Sequence, residues 1–208
     1  MSADVIEEEW LLSMEQVRSL LEWIREHAAY RSIYPFMRIV AEQALRPEEA
    51  RALRVRDVVL PEGDWGILTA RHGRKARAIP LQPQFVEFLR EWISEAGLRE
   101  DDLLISGMRC GPLSVSGYQR AREQAQEAFL PRDELYSWRL GEPISILRES
   151  CLVKWLRTGI STVTVAEWAG VTPSWLALRY PYCFRSEDIE IDWDHLAEIM
   201  ALPDVRKS

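Results

Sequence analysis

Apolar residues recur three and four apart along "LLSMEQVRSLLEWIREHAA", where Met14, Val17, Leu20, Leu21 and Ile24 make one stripe. That is the spacing of a helix with one face in a core. Ser13 before the stripe and Gln16 three residues on predict a reciprocal cap at its start. A second apolar helix follows across "IYPFMRIVAEQAL". Pro47 with Glu48 and Glu49 then reads as a new helix start, carrying negative charge in its first turn. From Val55 the pattern changes to β-branched residues, with turn chemistry at Pro61–Asp64 and around Gly73. This predicts a small three-stranded antiparallel meander.

Helical periodicity returns in "QPQFVEFLREWISEAG", with Pro83 near its start and Gly97 past its end. A loop over 98–113 precedes a helix in "SVSGYQRAREQAQEAFL". "EPISILRESCLVKWLRTG" is a strongly apolar helix stopped by Gly159. "AEWAGVTPSWLALRYPYCF" supplies two short helices punctuated by Gly170 and Pro173. Residues 185–191 read as an acidic linker, and "DWDHLAEIMAL" as a last amphipathic helix. The fold class expected is mainly α with a small three-stranded antiparallel β-sheet (α+β). It divides into one domain over 1–184 and a linker with tail helix over 185–208.

Composition narrows the function classes. Nine Trp and 47% hydrophobic residues belong to a packed protein rather than a disordered one. The start, "MSADVIEEEWLL", lacks a basic segment before an apolar run, and no stretch is long enough to span a bilayer. A cytoplasmic protein without membrane partners is expected. Cys110, Cys151 and Cys183 are odd in number and far apart, and the histidines at 27, 72 and 195 are scattered, which argues against a disulfide framework or a metal site. The net charge of −7 argues against a surface that wraps nucleic acid on all sides, but it leaves room for a local basic face.

Three segments hold residues that packing does not explain. Arg46 sits at the break between two apolar helices. Arg148 lies inside the apolar run "SILRES", where it must snorkel, pair with a carboxylate such as Glu149, or face a polar cleft. Tyr180 ends a short helix ahead of Pro181. Arg71, Arg74, Lys75 and Arg77 crowd the hairpin, and Arg51, Arg54 and Arg56 crowd the segment before it.

In order and spacing, these segments resemble the catalytic domain of tyrosine recombinases, the phage integrase family. The family's G-L-R-x-x-E-x-x-x-L-x-W-x-D is matched by Ala44, Leu45, Arg46, Glu49, Leu53, Val55 and Asp57 in register. Its hairpin ending K-x-x-R-x-(V/I)-P-L is matched by "KARAIPL", with Lys75, Arg77, Ile79, Pro80 and Leu81. Its H-x-L-R helix is matched by "SILRESCLVKWLRTG" except at Ser145. Its Gly followed ten residues later by Tyr is matched by Gly170 and Tyr180. The resemblance runs from about residue 12 to 184, and the "YPYCF" ending is similar to actinobacterial integrases.

The resemblance implies DNA site-specific recombination. Tyr180 would attack a phosphodiester of double-stranded DNA to leave a 3′-phosphotyrosine, with no metal, ATP or other cofactor. Arg46 and Arg148 would clamp the phosphate oxygens. His72 or Lys75 would protonate the leaving 5′-oxygen. Arg71, Arg74, Lys75 and Arg77 would face DNA. Ser145 and Val171 stand where the family has histidine, and histidine or tryptophan, so the active site is degenerate and impaired catalysis is expected. The alternative is a catalytically inactive derivative, acting as a DNA-binding or protein-interaction module. The family's N-terminal core-binding domain is not matched. The tail helix, with Trp193, Leu196, Ile199 and Met200, resembles a segment that relatives dock onto a neighbouring subunit, which would give self-association.

Overall fold

The Ser13 signal is realised at once: its hydroxyl accepts from the Gln16 backbone N–H at 3.1 Å, while the Gln16 side chain accepts from the Ser13 N–H at 2.9 Å. The helix it starts, α1 (Met14–His27), buries Val17, Leu20 and Ile24 on the predicted stripe. The structure is a computed structural model of the chain and describes residues 4–29, 31–73, 75–107, 111–139 and 141–184. The linker over 185–191, the tail helix, Arg74 and Cys110 lie outside the described residues.

Helix α2 (Ile33–Gln43) is buried nearly all round, as its apolar sequence requires, and packs against α1, α5 (Val115–Phe129) and α7 (Ser145–Arg157). It stops at Ala44, whose φ of 48° lies in the left-handed region. An L-residue adopts that conformation at a cost of roughly 1–2 kcal/mol. The turn redirects the chain so that Arg46 precedes α3 (Pro47–Ala52).

The meander is confirmed as β1 (Val58–Val59), β2 (Gly66–His72) and β3 (Lys75–Leu81), antiparallel in that order. Its register pairs Val58 with Leu68, Leu68 with Ile79, Ala70 with Arg77, and His72 with Lys75. Directly paired residues share a face. The buried face therefore carries Leu68, Ala70, Ile79 and Leu81, and it continues outward through Arg77 to His72 and Lys75. Arg71 points to the other side.

Helix α4 (Pro83–Ala96) ends at left-handed Gly97, as predicted. Segment 98–113, expected as loop, carries two β-bridges, Arg54 with Leu103 and Ser106 with Pro112. After α5, a short helix α6 (Arg132–Glu134) and a π-turn (Leu135–Arg139) were not legible in the sequence. Helices α7, α8 (Thr162–Ala169) and α9 (Pro173–Arg179) complete the described chain with a 3₁₀ turn at Pro181–Phe184. Two apolar clusters result. The larger joins α1, α2, α4, α5 and the sheet, and the smaller joins Ala44, Cys151, Leu152, Val165, Ala169, Leu176 and Tyr180. Among the described residues no helix is long and apolar enough to cross a membrane.

Candidate active site

Glu49 organises the site. One turn into α3, its side chain is almost completely buried, and a buried carboxylate needs donors. Arg77 supplies a fork, with Nη1 donating to Oε1 at 2.7 Å and Nη2 to Oε2 at 2.6 Å. Arg46 adds its backbone N–H at 2.9 Å and its Nη1 at 2.8 Å. Burial by itself would raise the Glu49 carboxyl, but the Arg77 and Arg46 hydrogen bonds overcome it and bring it down to about 2.

The arginines also converge on the C-terminal end of α8, the negative end of its dipole. Arg77 Nε donates to the Trp168 carbonyl at 2.7 Å, Arg148 Nη2 to the Ala169 carbonyl at 2.8 Å, and Arg46 Nη2 to the Gly170 carbonyl at 3.2 Å. Arg148 Nη1 donates to the Ala44 carbonyl, so the left-handed end of α2 is tied to α7. Arg148 is 5% exposed. Burial and the neighbouring Arg46 and Arg77 cations push its guanidinium down to about 10, which still leaves it protonated at neutral pH. Two guanidinium groups thus hold one carboxylate while a third, Arg148, shares the end of α8 with them, and the positive excess sits where low dielectric strengthens contact with an anion.

The geometry decides where two of these arginines turn. Arg148 does not pair with Glu149; adjacent positions on a helix do not face each other, and its partners are carbonyls from α2 and α8. Arg77 does not share an outer surface with Arg71, because register places it on the inward face of β3, against Glu49. Period-two alternation with Ile79 and Leu81 carried that signal in the sequence. Arg71 is mostly exposed and lies 3.3 Å from Asp57, while Lys75 and His72 are exposed opposite each other at the hairpin tip. In the preceding segment, Arg51 donates to the Leu113 carbonyl, and Arg54 and Arg56 engage Asp101. Ser145 opens α7, one turn before Arg148, and is partly buried. Val171 packs against the smaller apolar cluster.

Tyr180 caps the end of α9 and is fully buried, with the rings of Trp175 and Tyr182 edge-on at 6.2 and 6.4 Å. Its hydroxyl donates to Glu149 Oε2. Arg179, the preceding residue, reaches the same carboxylate through Nη2 at 3.3 Å. Burial and the Glu149 charge push the phenol well above the ordinary tyrosine value, with Arg179 and Arg148 pulling the other way. The N-terminal segment holds this end of α9 from outside: Ile6 N–H donates to the Arg179 carbonyl at 3.1 Å, and Arg179 Nη1 donates to the Asp4 carbonyl at 2.5 Å. Sequence reasoning missed the Glu149–Tyr180 contact. Its available signal was a second charge beside Arg148 in an apolar helix.

Comparison with known proteins follows the same lines. The model of the phage integrase family matches residues 11–170, which carry Arg46, Glu49, Arg77 and Arg148 and stop ten residues before Tyr180. No curated protein matches the chain. Among solved structures, the XerH site-specific recombinase bound to difH substrate in a pre-cleavage complex superposes with a TM-score of 0.68 at 20% identity, over 96% of this chain and 55% of that one. The XerA recombinase gives 0.62 at 18% identity, over 91% and 63%. The catalytic domain of bacteriophage HP1 integrase gives 0.60 at 17% identity, over 92% and 94%. The chain therefore spans about half the length of the XerH protein and nearly all of the HP1 catalytic domain. With the family model covering most of the chain and the recombinase catalytic-domain fold reproduced around the arginine cluster, this protein belongs to the phage integrase family.

Proposed function

We propose that this chain cuts and rejoins double-stranded DNA through a 3′-phosphotyrosine at Tyr180. The observation that carries the reading is the shared setting of Arg46, Arg148 and Tyr180. Arg148 ties together Ala44 and Ala169, and both of these pack in the same apolar cluster as Tyr180. Guanidinium forks suit the non-bridging oxygens of a phosphodiester, on which charge accumulates during attack. In this reading the phosphate takes over N–H groups of Arg46 and Arg148 that now donate to carbonyls. The hairpin tip brings His72 or Lys75 to the leaving 5′-oxygen, on the sheet face that also carries Arg77. Lys75 and Arg71 are the exposed cations suited to DNA phosphates outside the cleft. Ser145 can donate a hydrogen bond but relays no proton, and Val171 does neither; each missing donor costs on the order of 10²–10³ in rate. Slow strand transfer is the expected behaviour.

A second reading, a non-catalytic DNA-binding or protein-interaction module, is favoured by the closed state of the nucleophile, buried and bonded to Glu149. Incubation with a randomised library of nicked duplexes, followed by capture of denaturant-stable protein–DNA adducts, separates the two. Adducts with wild type and none with Tyr180→Phe support the recombinase. Salt-sensitive DNA binding without any adduct supports the module.

A further inference from the structure

The chemistry assigned to Tyr180 leaves one task without an owner. The phenol must lose a proton as its oxygen attacks, and Ser145 and Val171 cannot accept one. Of the described histidines, His27 stacks on Trp23 at the far end of α1, and His72 is at the hairpin tip. The group in contact with the phenol oxygen is the Glu149 carboxylate, itself 9% exposed. We infer that Glu149 is a catalytic residue of this chain, the general base that takes the Tyr180 proton. This rests on the reading of Tyr180 as a nucleophile toward phosphorus.

Three features of the geometry support the assignment. Tyr180 Oη already donates to Glu149 Oε2, so the proton lies on the line of transfer. Arg179 sits on the same carboxylate, with Nη2 3.3 Å from Oε1 and Nε 3.5 Å from Oε2, so a cation already holds the acceptor in place. Glu149 also follows Arg148 directly on α7, so one helix carries both the acceptor of the proton and a clamp for the phosphate. A buried site that already holds one carboxylate disfavours a second anion beside it. Moving the proton from Tyr180 to Glu149 transfers the negative charge instead of adding to it, and leaves it facing Arg148 and Arg179. The burial that makes free tyrosinate costly thus makes concerted transfer to Glu149 the accessible route.

The step balances as follows. The Tyr180 O–H bond breaks and its proton goes to Glu149 Oε2 while the Oη–P bond forms. The P–O5′ bond breaks, its electron pair stays on O5′, and that oxygen takes a proton from the hairpin acid, His72 or Lys75. In rejoining, the 5′-hydroxyl attacks phosphorus and gives its proton back to the hairpin group, His72 or Lys75, while the Oη–P bond breaks and Glu149 returns its proton to Tyr180.

The target sequence is not needed for the test. Diisopropyl fluorophosphate offers an electrophilic phosphorus whose fluoride leaves without protonation, and mass spectrometry locates the label. Wild type should be labelled at Tyr180, Glu149→Gln should react about 10²–10⁴-fold more slowly, and Glu149→Asp should recover part of the rate. Thermal unfolding shows whether each variant remains folded. If Glu149→Gln destabilises the chain, comparison of Glu149→Asp with wild type below both melting points decides instead. Labelling of Glu149→Gln at the wild-type rate overturns the inference. Faster labelling also overturns it, showing that the carboxylate restrains Tyr180, and so does absence of Tyr180 labelling in wild type. The nicked-duplex library is run in parallel. Labelling that depends on Glu149 without DNA adducts leaves the base in place and removes the recombinase reading. Adducts that form equally well in Glu149→Gln do the reverse.

Discussion

Glu49 shows how one side chain sets the charge of the whole site. It accepts from two arginines, and its carboxyl lies at about 2 instead of the usual 4.5. A carboxyl with a depressed folded value contributes stability that is fully present above its unfolded value and is lost as pH falls through the folded one. The contribution is about 3 kcal/mol and should disappear between pH 4.5 and 2. Urea unfolding across that range measures it. Glu49→Gln should lower stability at neutral pH by about 3–5 kcal/mol, because Arg46 and Arg77 lose their counter-charge. It should also flatten the acid limb. An unchanged acid limb in Glu49→Gln would assign the titration to another carboxylate.

At the scale of elements, the end of α8 matters most. Gly170 has φ of 66°, and its N–H closes the helix on the Ala166 and Glu167 carbonyls. Its carbonyl accepts from Arg46, and a Cβ at this position would lie 3.1 Å from Cδ, Nε and Nη1 of Arg77. A side chain here is strained twice, by backbone and by contact. Gly170→Ala should destabilise the protein by about 1–2 kcal/mol from the backbone alone. It should also displace Arg77 from the Trp168 carbonyl, which the Arg77 Nε–H resonance would report. A loss below about 0.5 kcal/mol would mean that the α8–α9 turn has relaxed.

The whole molecule is held at its N-terminal end by a buried arginine that no sequence pattern announced. Arg139, 1% exposed, donates to the carbonyls of Trp10 and Leu11 and pairs with Glu134 and Glu142 at 3.1 and 3.0 Å. Leu12 N–H is held by the Ser150 hydroxyl at 3.0 Å, and Arg157 meets Glu8 at 2.6 Å. Segment 4–12 is thereby fastened to α7 and, through Ile6, to the end of α9. Arg139→Leu leaves Glu142 without its closest cation and should cost about 3–5 kcal/mol in urea unfolding. Limited proteolysis should then cut first within 4–12. Resistance there would show that the Arg179 and Ser150 contacts suffice to hold the segment.

The sequence alone determined the longer helices, the meander and the inward face of α1. The α1 stripe, the Ser13–Gln16 cap, the Gly97 and Gly170 stops and the hairpin turn at Gly73 are all local, set by periodicity or by the backbone freedom of one residue. Order and spacing were enough to assemble Arg46, Arg148 and Tyr180 into one family pattern. Tertiary structure decided which inward groups meet. Arg148 finds carbonyls from α2 and α8, and Glu149 finds Tyr180 and Arg179 from α9. Arg139 finds a segment 128 residues away. Periodicity records that a buried charge needs a partner, and only the packing of distant segments chooses it.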